Sequence, residues 1–491
     1  VNTGLVGAPE VAEPASTSPP VKSSAGHLTL HRAALWATVV VGVATIGVAV
    51  LTDGGHQDNL PTALRVAVVV AAAYLLPGLP IAALLRLPGI GLMVVVAGPL
   101  SLATTIISAQ TQMVLGWWHP IPIQITIAAV SVVIAGVALI LRPPVTEPVR
   151  RRSGRDTRRW RERAPWLAVL AASLIFFWVA AETVQVADSD ATGIITHVGP
   201  YYVVALLLAA VVVVRVLTTR PLDIILMAAT VVTVIVVTSM LTAVASGAAS
   251  FPTAYVHRGL IEILTYAGHL PPPSDARFSW AGFFSAAGQL TEVAGIPTAD
   301  PLLQWAPVFN EITMIAPIYL IGRFVTARPK IAWLGVLLYS YFNWYQQDYF
   351  SPQATATFMY TSVVALLLWQ FRASRVPRVP RFGGADKWGV WFTARPTVRQ
   401  LHEIGTWSRT VPSITEGARY LTTAVLATIR RTPGQVWGRG SVWTISTEAV
   451  LVVVLAAMVV AHQLTPMVTI ATLLIFSLLG ATRYRLLWVA G

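Results

Sequence analysis

Cysteine is absent from all 491 residues. Disulfides, thiolate nucleophiles and cysteine-ligated metals are therefore excluded. Charge is scarce too. Asp, Glu, Lys and Arg make up 11% of the chain, against roughly 25% in soluble domains. Several short motifs are also missing: there is no P-loop, no GxGxxG following a strand, no HExxH and no GxSxG in its usual setting. ATP-driven transport by this chain alone is not expected. What fills the space is apolar: 55% of residues are hydrophobic and the mean hydropathy is +0.67. The composition is that of an all-α polytopic membrane bundle.

A membrane-crossing helix needs about 20 mostly apolar residues. Runs of that kind predict about twelve transmembrane helices, at 32–52, 62–85, 90–114, 120–141, 165–186, 199–218, 222–243, 302–323, 330–346, 353–371, 443–462 and 466–485. Residues 1–31, rich in Pro, Ser, Ala and Val, read as a disordered cytoplasmic N-terminus. No small-residue cleavage site follows the first run, so it reads as an anchor rather than a signal peptide.

The net charge is +13, but the basic residues cluster between the runs as orientation signals do. "RPPVTEPVRRRSGRDTRRWRER" (142–163), "TTR" (218–220), "TARPK" (326–330) and the tract 372–442 fall on one side. "TDGGHQDN" (52–59), "GWWHP" (116–120), "ADSDATGIITHVGP" (187–200), 244–301, "QQDYFSPQ" (346–353) and "HQLTP" (462–466) fall on the other. Both termini are then cytoplasmic, in a plasma membrane. The transmembrane core is 32–371, with a C-terminal hairpin at 443–491. The basic tract, with Arg372, Arg375, Arg378, Arg381, Lys387, Arg395 and Arg399, suits anionic lipid headgroups. No nucleic-acid motif accompanies it.

Polar chemistry collects on the expected outer side. In 244–301, Val256, Leu260, Ile263, Leu264 and Ala267 recur at helix spacing around His257, Arg258 and Glu262, which predicts an amphipathic interfacial helix over 254–267. "HLPPPSDARF" breaks it. Residues 278–295 predict a second interfacial or re-entrant helix, and the whole loop is expected to lid or line a cavity. Asp188 and Asp190 form a D-x-D pair able to share a hard divalent cation, Mg or Mn; a solvated acidic loop explains the same residues. Glu182 lies close to that pair. Glu311, beside Asn310, sits inside a span, where a carboxylate has either a functional or a pairing role. In "NWYQQDYFSPQATATFMY" (343–360), Ser351 and Pro352 fit the N-cap and first position of a helix. Capping leaves Gln346, Gln347 and Asp348 unexplained. His462 ends the eleventh run, where a helix C-terminus tolerates a cation.

The series "AYVHRGLIEIL", "DARFSWAGFFSAAG", "LLQWAPVFNEI", "NWYQQDYFSPQATATFMY" and "AHQLTPM" resembles a group of large actinobacterial membrane proteins similar to GT-C type glycosyltransferases. The likeness runs over roughly 60–490, strongest at 250–365, and "QDYFSPQA" and "HQLTP" are its most specific parts. It implies a GT-C-like enzyme moving a sugar from a polyprenyl-phosphate donor to an envelope glycan, lipid or protein on the extracytoplasmic face. GT-C enzymes place an acid in an early outer loop. "DSD" matches that role, but here its loop is short and the long loop comes later. On this reading Asp190 or Asp348 is the base. Arg258, Arg277, His257 and His462 face the donor phosphate. Gln347, Tyr349 and Gln353 bond sugar hydroxyls, Trp344 or Tyr345 lies under a sugar face, and Asp275 joins the substrate-binding set. A transporter or flippase of a lipid-linked or polar substrate and a non-catalytic envelope-assembly scaffold are the other readings the sequence leaves open.

Overall fold

The computed structural model describes residues 24–87, 89–141, 154–188, 193–272, 275–326, 328–342, 348–370 and 441–479. The expected features at Asp190, Trp344, Tyr345, Gln346, Gln347 and in the basic tract lie outside these residues.

Among the described residues every element of regular structure is a helix. The order is α1 Ser24–Asp53, α2 Thr62–Leu75, α3 Gly78–Leu84, α4 Ile90–Leu115, α5 Pro120–Leu141, α6 Gly154–Thr183, α7 Pro200–Thr218, α8 Ile224–Ser239, α9 Leu241–Ser246, α10 Thr253–Ala267, α11 Gly282–Ala294, α12 Asp300–Val325, α13 Pro329–Tyr341, α14 Pro352–Gln370, α15 Ser441–Ala461 and α16 Thr465–Leu479. α1 starts at Ser24, ahead of the expected first run.

Among the described residues six helices are long and apolar enough to cross a membrane: Leu30–Asp53 of α1, then α4, α5, Trp160–Thr183 of α6, α7 and α12. The pair α2 and α3, bent by 40°, makes a seventh if it counts as one span. The chain is thus a multi-pass helical membrane protein. Helices stand at all twelve expected places, but several are short. α13 has 13 residues, about 20 Å of helix against a hydrocarbon layer of about 30 Å.

Two groups of helices share α12. One core gathers α1 to α5, α11, α14 and α15 around Met93, Val96, Ile106, Phe358 and Leu451. The other gathers α6 to α9 and α13 against α12 through Phe177, Met227, Ile235 and Trp333. Small residues let backbones approach closely where hydrophobic driving force between helices is lost to lipid. Gly78 shows this most sharply. A Cβ there would stand 2.0 Å from the Ala97 carbonyl oxygen, and its N–H donates to Ser101 Oγ at 2.9 Å.

The segment 244–301 is the structural surprise. α10 is amphipathic, as its spacing predicts, but its register differs from the expected stripe. Ala254, His257, Leu260, Ile261 and Leu264 face inward, and Val256 and Ile263 face out with Tyr255 and Tyr266. His257 is tolerated inside because it has a hydrogen-bond partner there, and the outward apolar residues suit a bilayer interface. α11 is no surface helix at all. It is enclosed by α1, α2, α4, α5, α10 and α15, and every residue of it is buried except Leu290 and Glu292.

Candidate functional site

α11 stays buried because its polar atoms are answered from neighbouring helices. Its C-terminal carbonyls are the first need. Arg65 of α2, 4% exposed, donates from Nη1 to the carbonyls of Ala294 and Gly295, the latter at 2.8 Å. A cation at a helix C-terminus also suits the dipole. Gly295, at φ +60°, turns the chain there; a Cβ on it would come within 2.9 Å of Arg65 Nη1. Thr52 donates to the Val293 carbonyl at 3.1 Å.

Midway, three buried glutamines form a chain. Gln112 Nε2 donates to Gln289 Oε1 at 3.0 Å, and Gln289 Nε2 donates to Gln124 Oε1 at 2.9 Å. The His119 N–H donates to Gln112 Oε1 at 2.9 Å. Trp118 Nε1–H donates to Glu292 Oε1 at 2.7 Å, while burial pushes that carboxyl up from its ordinary value. Sequence reasoning missed Arg65, Gln112, Gln124 and Gln289. The available signal was polar side chains inside apolar runs, which by default mark a pairing role.

The tip between α13 and α14 is held from two sides. His257 Nδ1–H donates to the Phe350 carbonyl at 2.8 Å, and its ring stacks on Tyr349 with centroids 5.7 Å apart. Asn310 Nδ2 donates to the Asp348 carbonyl at 2.7 Å and the Tyr349 carbonyl at 3.3 Å. Ser351 Oγ accepts from the Ala354 N–H at 3.1 Å, the N-cap its position predicts, with Pro352 opening α14. Asn310 lies about 15 Å along α12 from Asp300. The tip is therefore sunk well below the start of α12, beneath the loop that carries α10 and α11.

Asp348 is half-buried, and burial raises its carboxyl to about 6. Glu311 is 3% exposed. Both acids lie within electrostatic reach of Tyr339. An aromatic chain runs on from this centre. His257 contacts Phe284 at 5.5 Å, Phe284 contacts Trp280 at 5.8 Å, and Trp280 meets His462 edge-on at 6.0 Å. His257 and His462 thus belong to one continuous cluster. His462 is 8% exposed, and its Nδ1 accepts the Thr465 N–H at 3.2 Å, capping α16. Burial lowers both imidazoles from their ordinary value; for His257 the Arg277 charge adds to this and the Phe350 hydrogen bond opposes it.

The two arginines expected to face a phosphate are held by carboxylates. Arg258 Nη1 reaches both Asp300 oxygens at 2.9 and 3.0 Å, and its Nε reaches Glu262 at 2.8 Å. Arg277 forms two side-chain bonds to Asp275, at 2.9 and 2.6 Å, which hold that carboxyl down at about 2. Gln353 lies in the first turn of α14. Asp188 closes a short 3-10 turn after α6. Among the described residues no three His, Asp or Glu side chains gather as a metal site.

Beside the tip lies a cavity of about 640 Å³ between α2, α4, α11, α12 and the start of α14. As expected, the 244–301 segment lines it, through Phe283, Ala286 and Ala287. Among the described residues its polar lining is limited to Thr62, Thr105, Gln304, Asn310, Ser351 and Thr355, apart from the Tyr74 and Trp305 rings, and none that lines it is charged. Neither His257, Asp348 nor His462 reaches the lining. Asn310, Phe350 and Ser351 connect cavity and tip. No family model, curated protein or solved structure matches the chain. Its own features place it as a multi-pass helical membrane protein with a buried loop helix and an apolar cavity beside a polar tip.

Proposed function

We propose that the chain is a membrane glycosyltransferase that moves a sugar from a polyprenyl-phosphate donor to a cell-envelope acceptor on the extracytoplasmic face. The observation that carries this reading is the apolar cavity ending against the Asp348–Ser351 tip. A lipid chain needs an uncharged slot open to the bilayer, and group transfer needs an acid or base beside it. Here they adjoin. The reading takes the twelve helices as twelve crossings of the plasma membrane in a GT-C-like arrangement, with both termini cytoplasmic.

Asp348, raised to about 6 by burial, is suited to accept the acceptor hydroxyl's proton near neutral pH. Arg258 and Arg277 would exchange a carboxylate partner for the donor phosphate. Asp188 and Asp190 would hold a divalent cation if the reaction uses one. The sunken tip lies under α10 and α11, which keep competing water away.

The test uses purified protein in liposomes with radiolabelled polyprenyl-phosphate sugars and an envelope acceptor. Transfer is expected, falling at least about a hundredfold in Asp348→Asn, the usual scale for a lost general base. Full transfer by both Asp348→Asn and Asp190→Asn would overturn the site. Movement of the lipid-linked sugar across the bilayer without transfer would favour a flippase instead.

A further inference from the structure

The cavity has a definite length and a definite end. On α2 it is lined from Thr62 to Tyr74, on α12 from Pro301 to Ile312, on α4 by Leu102 through Ile106, and on α14 no deeper than Thr355. Twelve residues of helix from Thr62 to Tyr74 span about 18 Å. A long slot with so few polar groups suits a hydrocarbon chain. The slot is open along its side. Ala63 and Ala67 on α2 and Trp305, Phe309 and Ile312 on α12 line it and are exposed. These spacings of four, four and three residues put each set on one helix face. α12 is long and apolar enough to cross the membrane, so that face looks into the hydrocarbon layer.

The floor is aromatic. The lining ends at Tyr74 on α2, at Leu102 on α4, at Ile312 on α12 and at Thr355 on α14. The Tyr74 ring meets Phe309 at 5.4 Å and Phe358 at 6.1 Å. Below it Gly98 packs so tightly on Phe358 that a Cβ would come within 2.8 Å of the ring.

We propose that this slot takes a single hydrocarbon chain sideways from the bilayer and that Tyr74 sets how much of the chain it accepts. The ring of Tyr74, braced by Phe309 and Phe358, is the stop. The proposal rests on the lipid-substrate reading above and adds a length selectivity to it.

The experiment is native mass spectrometry of the full chain in neutral detergent with straight-chain alcohols of increasing length, and in parallel with prenols of matched length. Each buried methylene contributes about 0.8 kcal/mol, or about fourfold in affinity. Affinity is expected to climb at that rate and then level off once the chain meets the floor. Tyr74→Ala is expected to move the plateau to longer chains, and Tyr74→Phe to leave it in place. Phe309→Ala, on the exposed side of the stop, gives a second variant should Tyr74→Ala fold poorly, and is expected to move the plateau the same way. A plateau unmoved in both alanine variants overturns the stop and leaves the lipid reading intact. No saturable binding by the wild-type chain in either series overturns the chain-binding slot itself. A rising profile for prenols alone assigns the slot to isoprenoid chains, and for alcohols alone to unbranched ones; either supports the proposal.

Discussion

The His257 side chain of α10 donates to the Phe350 carbonyl at 2.8 Å, across 93 positions of chain. One hydrogen bond thus ties the long loop to the start of α14. His257→Ala removes the donor, leaves a carbonyl unanswered and empties the space beside Tyr349. The expected cost is about 2–4 kcal/mol, read as a lower midpoint of thermal unfolding in detergent. His257→Asn keeps a donor near the same place and is expected to recover part of it. An unchanged midpoint in His257→Ala would show that this contact does not hold the loop.

Asp348 gives a prediction in pH. Its carboxyl, raised by burial to about 6, keeps a proton that the unfolded chain releases near pH 4. Between those values the folded state binds more protons, so this group's contribution to stability falls as pH rises toward 6. The lowered His257 acts in the opposite sense, contributing stability that is lost as pH falls below its ordinary value. The difference between wild type and Asp348→Asn isolates the acid. Asp348→Asn is expected to gain in relative thermal stability from pH 4 to pH 7. In the transfer assay, wild-type activity is expected to rise with pH through about 6.

The glutamine chain predicts a non-additive pair. Gln289→Leu leaves the Gln124 oxygen and a Gln112 donor without their partner inside the bundle, at about 1–3 kcal/mol for each group left unmet. Adding Gln124→Leu removes one of those groups. The double variant is expected to unfold at a higher temperature than Gln289→Leu alone, a result that simple loss of contacts would not give.

Close helix approach predicts a contrast between two glycines. Gly78→Ala drives a methyl into the Ala97 carbonyl, and is expected to cost at least about 1–3 kcal/mol. Gly136→Ala, with nothing within 4 Å of the added carbon, is expected to be neutral or to stabilise α5 by up to about 1 kcal/mol. Both are read by thermal unfolding of the purified protein.

The helices were legible because apolar runs of membrane length and the Ser351-Pro352 cap are local signals. The cavity beside 244–301 could also be anticipated, since the irregular backbone that joins α10 and α11 must pack on protein or line a cavity. The burial of α11 was not legible. Its own spacing says only that it has an apolar face, and its enclosure depends on Arg65, Gln112 and Gln124, which lie far away in sequence. The same holds for Arg258 and Arg277. Their charge suggested a phosphate, but Asp300 and Asp275 occupy them, and Asp300 is brought to Arg258 only by the fold. His257 lies on the inward face of α10 and not on the polar face that the spacing predicts, because helical spacing does not say which face a buried partner will claim.

The burial of α11 also constrains the order in which the chain can be assembled. Gly282 at its start packs so closely on α15 that a Cβ would lie 2.8 Å from the Val460 carbonyl oxygen. The last wall around α11 is therefore synthesised more than a hundred residues after α11 itself. A ribosome that has delivered α11 has delivered α1, α2, α4, α5 and α10 around it but not yet α15. The partners of Gln289 are already made by then; what stays uncovered until α15 arrives is the start of α11 at Gly282.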